Sequence, residues 1–368
     1  MLPVKPSVVV VKLGTGLLTS GGDHINSARI KEISAQIHSL RQEGTKVIIV
    51  SSGAIGLGVG RLGLQRRPRS LPRLQSCAAI GQGILWKIWQ DALGEWGITV
   101  GQLLLTREDL RSRHRHLAAK ATFDCLLKDG VVPLVNENDS VSADEIKFGD
   151  NDILSAMVAS LVHADLLFVL STAPGLIDRT GTGEVIPVVE KITPAVEKLA
   201  GGTENPLATG GMITKIGAAK LAMRSGTGMY LTSGERDQAI LSALRGEGTG
   251  TFFTPHGLPL AAKKRWLAFF EKPQGNLQVD RGATLALQEK GSSLLPIGVR
   301  AVRGDFGRGS VVELWEEGGD VPFARGLACF TSREMKEMAG KTTAELRSLR
   351  PTRKRWELVH RDTLALLP

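Results

Sequence analysis

Short apolar runs alternate with amphipathic helical patterns along the first two thirds of the chain. The runs are rich in Val, Ile and Leu, which is typical of strands that are buried on both faces of a sheet. The strands predicted in this way are Val8–Leu13, Lys46–Val50, Ile98–Leu105, Val131–Val135, Leu166–Leu170 and Gly228–Leu231. Apolar stripes at helical spacing lie between them, one at Ile30, Ile33, Ile37 and Leu40 and another at Leu85, Ile88, Trp89 and Leu93. This alternation predicts an α/β fold, a three-layer α/β/α sandwich with a mainly parallel central sheet.

The pattern changes after Thr254, where Gly and Pro interrupt shorter strand-like runs. A length of about a hundred residues suits a separate β-rich domain. Its predicted elements are the strand-like Gln278-Val279, Leu294–Val302, Ser310–Leu314 and Arg325–Phe330, and a helix at Ser332–Ala339. The expected domains are an α/β domain at 1–255, a linker at 256–274, a β-rich domain at 275–362 and a tail at 363–368.

One polar segment, Asn136–Asp152, joins a predicted buried strand to a predicted amphipathic helix. Its seventeen residues include six carboxylates, three Asn and one Lys. Asp150, Asn151 and Asp152 lie where a helix N-cap belongs. A solvated acidic loop with a cap would explain this composition, but ligands of α/β sheets bind at the carboxyl ends of strands. Since the segment follows such an end, we predict that it forms a site.

Two glycine-containing segments each carry a lysine. Lys12 ends the first strand and precedes Gly14-Thr15-Gly16, and a lysine inside an apolar run is costly unless it meets an anion. Thr209–Lys215 reads TGGMITK and leads into a helix, where its first amides would bind an anion. For either segment alone, an ordinary solvent-reaching lysine explains the residues as well. Together with the acidic segment they indicate phosphoryl transfer, in which catalysis rests mainly on positioning and charge neutralisation.

A third glycine-rich stretch, Ser51–Gly60, follows the second strand and overlaps a GxGxxG pattern at Gly58–Gly63. The pattern begins eight residues beyond the strand, and the next acidic residue is Asp91, so we reject a dinucleotide fingerprint. A flexible or anion-contacting loop is expected instead. No Walker A sequence occurs in the chain.

The composition is that of a globular protein, with 42% hydrophobic and 23% charged residues among 368. The net charge of +9 is uneven, because residues 256–368 hold 19 basic and 13 acidic side chains, which raises the question of nucleic-acid binding. Cys77, Cys125 and Cys329 are far apart, which favours reduced, buried thiols in a cytoplasmic protein. Neither a signal peptide nor a membrane span is predicted.

Five longer motifs occur in a fixed order over residues 8–255. They are VKLGTGLL, VSSGAIGLG, GQLLLTREDL, VPLVNENDSVSADEIKFGDNDILSA and TGGMITKIGAA. In this order they resemble the glutamate 5-kinases of the amino acid kinase family, and the fourth motif is long and specific. The later GSSLLPIGVRAVRGDFGRGSVVEL resembles the PUA domain that many members of this family carry. The resemblance therefore covers nearly the whole chain.

The resemblance implies ATP-dependent phosphorylation of the side-chain carboxylate of L-glutamate, which gives L-glutamyl 5-phosphate in the first step of L-proline synthesis. It implies that Lys12 and Lys215 flank the transferring phosphoryl group and that Asp152 holds both lysines in place. The implied glutamate-binding residues are Ser52, Asp139 and Asn151. The implied ATP-binding residues are Lys12, Ser171, Thr172, Thr209, Gly210, Gly211, Met212, Ile213, Thr214 and Lys215.

The resemblance also implies Mg²⁺ as the companion of ATP, proline as a feedback inhibitor, and a homodimer or homotetramer. The side chains that would contact the metal stay unassigned. One departure concerns Thr172, because the family usually has Asp at this point of the nucleotide loop. We expect the change to affect the nucleotide contact and base selectivity, and to leave catalysis by the lysines and Asp152 in place.

Two alternatives remain open. The first is another member of the amino acid kinase family, acting on aspartate, N-acetylglutamate or a nucleotide, and substrate competition would separate these. The second is an RNA-binding or RNA-modifying protein that acts through its basic C-terminal domain. We expect weak RNA binding or none, and interpret that domain as a regulatory or assembly module.

Overall fold

The computed structural model describes residues 2, 5–20, 24–141, 151–201, 211–256, 273–349 and 355–367. The chain divides into two compact units, Met1–Gly257 and Leu258–Pro368. The strands of the first unit are β1 (Val8–Leu13), β2 (Thr19–Ser20), β3 (His24–Ile25), β4 (Lys46–Ser51), β5 (Val100–Leu105), β6 (Val132–Glu137), β7 (Leu166–Ser171), β8 (Val188–Val189), β9 (Gly228–Ser233) and β10 (Thr251–Phe253). Its helices are α1 (Thr15–Leu18), α2 (Ser27–Gln42), α3 (Ala54–Arg61), α4 (Leu71–Gly94), α5 (Arg107–Arg111), α6 (Arg113–Lys128), α7 (Asn151–Val162), α8 (Pro194–Ala200), α9 (Met212–Arg224) and α10 (Ala239–Leu244).

An eight-stranded sheet lies at the centre of the described part of this unit, in the order β5-β6-β4-β1-β7-β9-β10-β8. Its neighbours are parallel except β9 and β10. Strand β1 lies between β4 and β7, with Lys12 opposite Val50 and Val169. After β1, the strands β4, β5 and β6 are added on one side of it, and β7 then pairs with its other side. Such a reversal of strand order is where α/β sheets bind ligands, at the carboxyl ends of the strands.

Helices cover both faces of this sheet, as the alternation of patterns predicted. Since successive side chains of a strand point to opposite faces, β1 serves both. Val9, Val11 and Leu13 belong to one apolar core with residues of α2 and α4. Lys12 is out of step with them and lies on the other face, where α7 packs against β1 and β7. The alternation therefore explains how a lysine fits within an apolar strand.

The glycine-rich stretch after β4 is largely helix α3, so the expectation of a loop there was wrong. Helix α3 packs against α4 through glycines. A Cβ on Gly58 would lie 1.9 Å from the carbonyl oxygen of Cys77, and one on Gly81 would lie 1.8 Å from that of Ala54. Any larger residue would clash with backbone atoms at both places. These glycines therefore permit a close helix crossing.

The second unit contains a five-stranded sheet in its described residues, in the order β12-β11-β13-β14-β15. The pairs are antiparallel except β11 and β13. Its own apolar core includes Leu277, Leu314 and Trp356. The elements are β11 (Gly275–Val279), β12 (Val299–Gly304), β13 (Val311–Glu316), β14 (Pro322–Ala328), β15 (Val359–Leu366), α11 (Arg281–Lys290), α12 (Ser332–Met338) and α13 (Thr343–Leu349).

The second unit differs from the sequence-based expectations in three respects. The run Leu294–Val302 is not one strand, because Pro296–Gly298 forms a 3₁₀ turn and β12 begins only at Val299. Helix α11 was missed, although Asp280 caps it by accepting the amide hydrogen of Ala283. The expected tail from residue 363 is in part strand, because β15 continues to pair with β14 as far as Leu366.

The three cysteines are free, and they differ in exposure. Cys77 is buried, Cys329 is half-buried and Cys125 is exposed, so the expectation of a buried thiol was wrong for Cys125. Among the residues that the structure describes, no helix combines the length and the apolar character that crossing a membrane requires.

Candidate active site

Two lysines from distant parts of the chain meet one carboxylate near the carboxyl end of β1. Lys12 forms an ion pair with Oδ1 of Asp152. The Nζ atom of Lys215, on α9, lies 3.1 Å from Oδ2 of the same residue. Lys12 is 4% exposed, Lys215 6% and Asp152 0%. Since unbalanced buried charge is costly, two ammonium groups around one carboxylate indicate that a further anion belongs in this site.

The two lysines keep Asp152 ionised. Burial alone would raise the pKa of Asp152, but the positive charges of Lys12 and then Lys215 outweigh burial and lower the pKa. Thr214 Oγ1 lies 3.3 Å from Oδ2 of Asp152 and donates to the carbonyl oxygen of Gly211 at 2.7 Å. Asp152 thereby connects the first turn of α7 with the first turn of α9.

The first turn of α9, which carries Thr214 and Lys215, has the features of a helix start that binds an anion. Its N-cap is Gly211, which has no side chain to cap the helix, and the first amides of a helix attract anions. Ile213 is exposed and Lys215 is buried beside Asp152. The structure thus places Gly211, Met212, Ile213, Thr214 and Lys215 together in one turn, whereas Thr209 and Gly210 lie outside the described residues.

On the β4 and β6 side of β1, Asn151 opens α7 directly before Asp152. The Nδ2 group of Asn151 donates to Oγ of Ser52 and to Oδ1 of Asn136, at 2.8 Å each, and lies 3.2 Å from the carbonyl oxygen of Ser51. Ser52 directly follows β4, and Asn136 lies near the end of β6. The structure therefore brings Ser52 and Asn151, two of the three residues predicted for glutamate, into direct contact.

Asp139, the third of these residues, lies two positions beyond β6 and is half-buried. Burial raises the pKa of its carboxyl to about 6, and the positive charge of Arg67 acts in the opposite direction. Within the described ranges, no hydrogen bond joins Asp139 to Ser52 or Asn151. Asp139 therefore lies at the same edge of the sheet without a hydrogen bond to the other two.

On the other side of β1, Ser171 ends β7 and the exposed Thr172 follows it. The Thr172 methyl group lies 3.4 Å from the position that a Cβ on Gly16 would take. The amide of Gly14 donates to the carbonyl oxygen of Leu170 at 3.2 Å. The segment after β1 therefore packs on the segment after β7.

The strand order separates these groups into two halves. Ser52 and Asp139 follow β4 and β6, and Asn136 lies near the end of β6, whereas Ser171 ends β7. The ion pairs of Asp152 lie between the halves, because Lys12 is on the central β1. An anionic acceptor on one side and a polyphosphate on the other could thus approach the same pair of ammonium groups.

Two residues of this region were not predicted from the sequence. Gln82, on α4, is 8% exposed and accepts a hydrogen bond from Nδ2 of Asn136 at 2.8 Å. Arg67 acts on Asp139 through its charge. A signal for Gln82 was present, because it is one polar side chain in the apolar, small-residue run AAIGQGIL. Arg67 lies among several arginines, and nothing in their sequence distinguishes it.

The sequence profile that describes the amino acid kinase family matches residues 7–233. The chain belongs to the amino acid kinase family. The PUA domain profile matches residues 275–349, which confirms the prediction of a PUA domain in the second unit of this family member.

Similar proteins narrow the position of the chain within the amino acid kinase family. A glutamate 5-kinase of Moorella thermoacetica is 42% identical over 363 residues, which cover 98% of this chain and 96% of the relative. One of Thermus thermophilus is 44% identical over 362 residues, which cover 97% of this chain and 96% of the relative. A solved carbamate kinase from Giardia lamblia, bound to AMP-PNP, covers 69% of this chain and 100% of its own, with 19% identity and a TM-score of 0.47. The relatives group the chain with the glutamate 5-kinases, as the motifs predicted.

Proposed function

We propose that this chain transfers the γ-phosphoryl group of ATP to the side-chain carboxylate of L-glutamate. The products are L-glutamyl 5-phosphate and ADP, and the reaction is the first step of proline synthesis. The observation that carries the proposal is the buried group of Lys12, Asp152 and Lys215 at the carboxyl end of β1. Two relatives named glutamate 5-kinase, aligned over nearly the full chain, support glutamate as the acceptor.

The two lysines meet the electrostatic need of this reaction. Acceptor carboxylate and donor phosphate are both anions, so they repel each other unless cations lie between them. Lys12 and Lys215 supply those cations, and Asp152 holds them at one point. Charge that accumulates on the transferring group is stabilised by such preorganised donors. No general base is required, because a carboxylate is already deprotonated at neutral pH.

Glutamate binds, in this proposal, beside β4 and β6. Asp139 attracts the substrate ammonium, and Ser52 and Asn151 hold polar atoms of the backbone part of the amino acid. This leaves the side-chain carboxylate of glutamate directed towards Lys12. The contact between Asn151 and Ser52 supports a shared role for them.

ATP binds, in this proposal, beside β7 and at the start of α9. Its phosphates meet Lys12, Lys215 and the turn from Gly211 to Thr214, preceded by Thr209 and Gly210, and Ser171 and Thr172 line the nucleotide. Mg²⁺ enters with the phosphates of ATP, since this ion keeps several waters and binds mainly through substrate oxygens.

The remaining parts of the proposal concern regulation and assembly. We propose a homodimer or homotetramer that proline inhibits by feedback, and a cytoplasmic location in which the three free cysteines stay reduced. Mass photometry over a range of concentrations measures the assembly, and added proline in the assay measures the inhibition.

The decisive experiment traps the acyl phosphate. Purified chain, MgATP and hydroxylamine are incubated with L-glutamate, L-aspartate or N-acetyl-L-glutamate, and the hydroxamate is measured. For UMP, which forms no acyl phosphate, the release of ADP is measured instead. We expect efficient hydroxamate formation with L-glutamate alone. Absence of product with L-glutamate, or faster turnover of another acceptor, would reject the proposal in favour of another kinase of the family.

RNA binding through the basic second unit is the competing function of a different class. Its test is binding of a structured RNA at two salt concentrations, with the whole chain and with residues 256–368 deleted. Tight, salt-dependent binding that the deletion abolishes would favour this alternative.

A further inference from the structure

Three buried side-chain amides form a hydrogen-bonded chain that ends at Asn151. Asn136 Nδ2 donates to Oε1 of Gln82 at 2.8 Å, and Asn151 Nδ2 donates to Oδ1 of Asn136 at 2.8 Å. Asn136 is 2% exposed, Asn151 6% and Gln82 8%. Gln82 comes from α4, Asn136 from β6 and Asn151 from α7, so the chain connects three elements.

The orientation of each amide in this hydrogen-bonded series follows from backbone groups that can only donate or only accept a hydrogen bond. The backbone N–H of Glu137 can only donate, and it points to Asn136 at 2.9 Å, so the atom that it meets is the oxygen of Asn136. The NH₂ group of Asn136 must then face Gln82, which presents its oxygen. The carbonyl of Ser51 can only accept, so the atom of Asn151 that faces it is the nitrogen.

This orientation leaves one acceptor unused beside the predicted glutamate site. Oδ1 of Asn151 is buried and has no hydrogen-bond partner within the residues described. A buried polar atom without a partner is costly, so it points to a donor that binds there. Oγ of Ser52 already accepts from Asn151, which leaves the Ser52 hydroxyl hydrogen to donate to an anionic group of the same ligand. One acceptor and one donor side by side suit the ammonium and the carboxylate of an amino acid.

We propose that Gln82 is a positioning residue that fixes this amide chain, so that Oδ1 of Asn151 accepts a hydrogen bond from the substrate ammonium. The inference rests on the proposed function, because it specifies how the amino-acid acceptor is recognised. Gln82 itself does not touch the substrate. Its oxygen accepts from the NH₂ group of Asn136 and so adds a second restraint to the one that the Glu137 amide places on Asn136. Asn136 and the Ser51 carbonyl together keep the NH₂ group of Asn151 turned away from the ammonium.

The test compares L-glutamate with glutarate, which has the same two carboxylates and no ammonium. Gln82→Met keeps the length of the side chain and removes the oxygen that accepts from Asn136. We expect KM for L-glutamate to rise about tenfold, with kcat and KM for ATP changed less than about twofold. The inhibition constant of glutarate as a competitor of L-glutamate should stay within about twofold, because glutarate does not use the Asn151 oxygen.

A matched control on the same helix separates positioning from stability. Gln90 also lies on α4 and accepts one hydrogen bond, from the amide of Val100 at 2.9 Å, away from this chain of amides. Gln90→Met should lower the melting temperature and leave both KM for L-glutamate and inhibition by glutarate unchanged. A purely structural role for Gln82 predicts the same pattern for both variants, and that outcome would overturn the inference.

Gln82→Glu provides the conservative variant and carries the test if Gln82→Met does not fold. It retains an oxygen that accepts from Asn136 and replaces the Nε2 group, which has no partner among the described residues, by a second carboxyl oxygen. We expect it to keep the preference for L-glutamate over glutarate, and a loss of this preference would contradict the proposed role of the oxygen. If the wild-type protein forms hydroxamate and Gln82→Met keeps the wild-type preference for L-glutamate over glutarate, the proposed function stands and this inference is wrong. Wild-type protein that forms none removes both.

Discussion

The Nζ atom of Lys215 lies 3.1 Å from Oδ2 of Asp152, and both side chains are almost fully buried. The contact joins the first turns of two helices that start more than sixty residues apart in the sequence. Because a second lysine occupies the other oxygen of the same carboxylate, removal of either charge leaves the site unbalanced. The first two predictions follow from this balance.

Asp152→Asn should abolish most activity and destabilise the first unit. Two buried ammonium groups would then face each other without a carboxylate, and breaking a buried pair in this way costs about 3–5 kcal/mol. We expect kcat to fall at least about a hundredfold, measured by hydroxamate formation, with stability measured by urea unfolding. Since the folded-state pKa is lowered, the stabilisation is present above the ordinary pKa of about 3.9 and is lost at lower pH.

Asp165→Asn is the control for that substitution. Asp165 precedes β7 and accepts hydrogen bonds from the amides of Ser7 and Val8 at the opposite end of β1. Its replacement should reduce stability modestly and leave kcat within about twofold. Equal loss of kcat in both variants would show that the effect at Asp152 is structural.

Lys215→Met should lower kcat about a hundredfold to a thousandfold with only a modest change in KM for glutamate. The ammonium group is assigned to the transferring phosphoryl group, so its loss acts mainly on the transition state. Steady-state hydroxamate kinetics measure both constants. Lys220→Met, on the same helix, removes a half-buried lysine that pairs with Glu197 and should leave kcat unchanged. Unchanged turnover in Lys215→Met would remove that residue from the mechanism.

Glutamate binding should weaken as the pH falls through about 6. Burial raises the pKa of Asp139 to about that value, and only the ionised carboxylate attracts the substrate ammonium. We therefore expect kcat/KM for glutamate to decline on the acid side with an apparent pKa near 6. Asp139→Asn should lower kcat/KM at pH 8 and abolish this acid limb. Retention of the limb in the variant would assign the titration to another group.

The same carboxyl makes an opposite prediction for stability. A folded-state pKa above the ordinary value of about 3.9 means that the folded chain holds the proton more tightly than the unfolded chain. Its stabilising effect is thus complete below the unfolded pKa and is lost as the pH rises through about 6. Asp139→Asn should therefore gain stability relative to wild type above pH 6 and approach it near pH 4. Urea unfolding at both pH values measures the difference.

Gly81→Ala should destabilise the first unit, whereas Gly83→Ala should not. A Cβ on Gly81 would lie 1.8 Å from the carbonyl oxygen of Ala54, so the crossing of α3 and α4 must open. Overpacking of this kind costs about 2–3 kcal/mol. Gly83, two positions along the same helix, has open space around it. Alanine at this position should raise the free energy of unfolding by at most about 1 kcal/mol, because alanine has a higher helix propensity than glycine. Equal unfolding midpoints for the two variants would refute the packing role of Gly81.

The strands of the first unit were predictable because burial on both faces gives continuous apolar runs. Val8–Leu13 and Leu166–Leu170 agree with the structure to within one residue. The glycine-rich α3 was not predictable, since its Gly58 is required by the close approach of α4, which follows it in the sequence. Local propensity contains no record of such a tertiary contact. For the same reason the second unit, with short strands and turns set by non-local pairing, was predicted less well.

The candidate site was predicted best where a motif fixes both residue and context. Lys12, Asp152 and Lys215 were identified from the resemblance, and the structure brings them together. Gln82 was missed, because a buried glutamine on a helix acquires its role only from Asn136 and Asn151, which lie on other elements. The roles assigned to these residues remain predictions that the experiments above address.

With β1 placed between β4 and β7, the residues proposed to bind the acceptor and those proposed to bind the donor lie mainly on separate sides of one strand. Of the residues assigned to the amino acid, Ser52 and Asp139 follow β4 and β6, and Asn151 opens α7. Those assigned to the nucleotide lie at the end of β7 and at the start of α9, and Lys12 lies on β1 between the two groups. Substitutions of the residues assigned to the amino acid should therefore leave the position of the residues assigned to the nucleotide unchanged. A change of acceptor therefore requires the exchange of only a few side chains on the β4 and β6 side, whereas the residues proposed to bind ATP are retained.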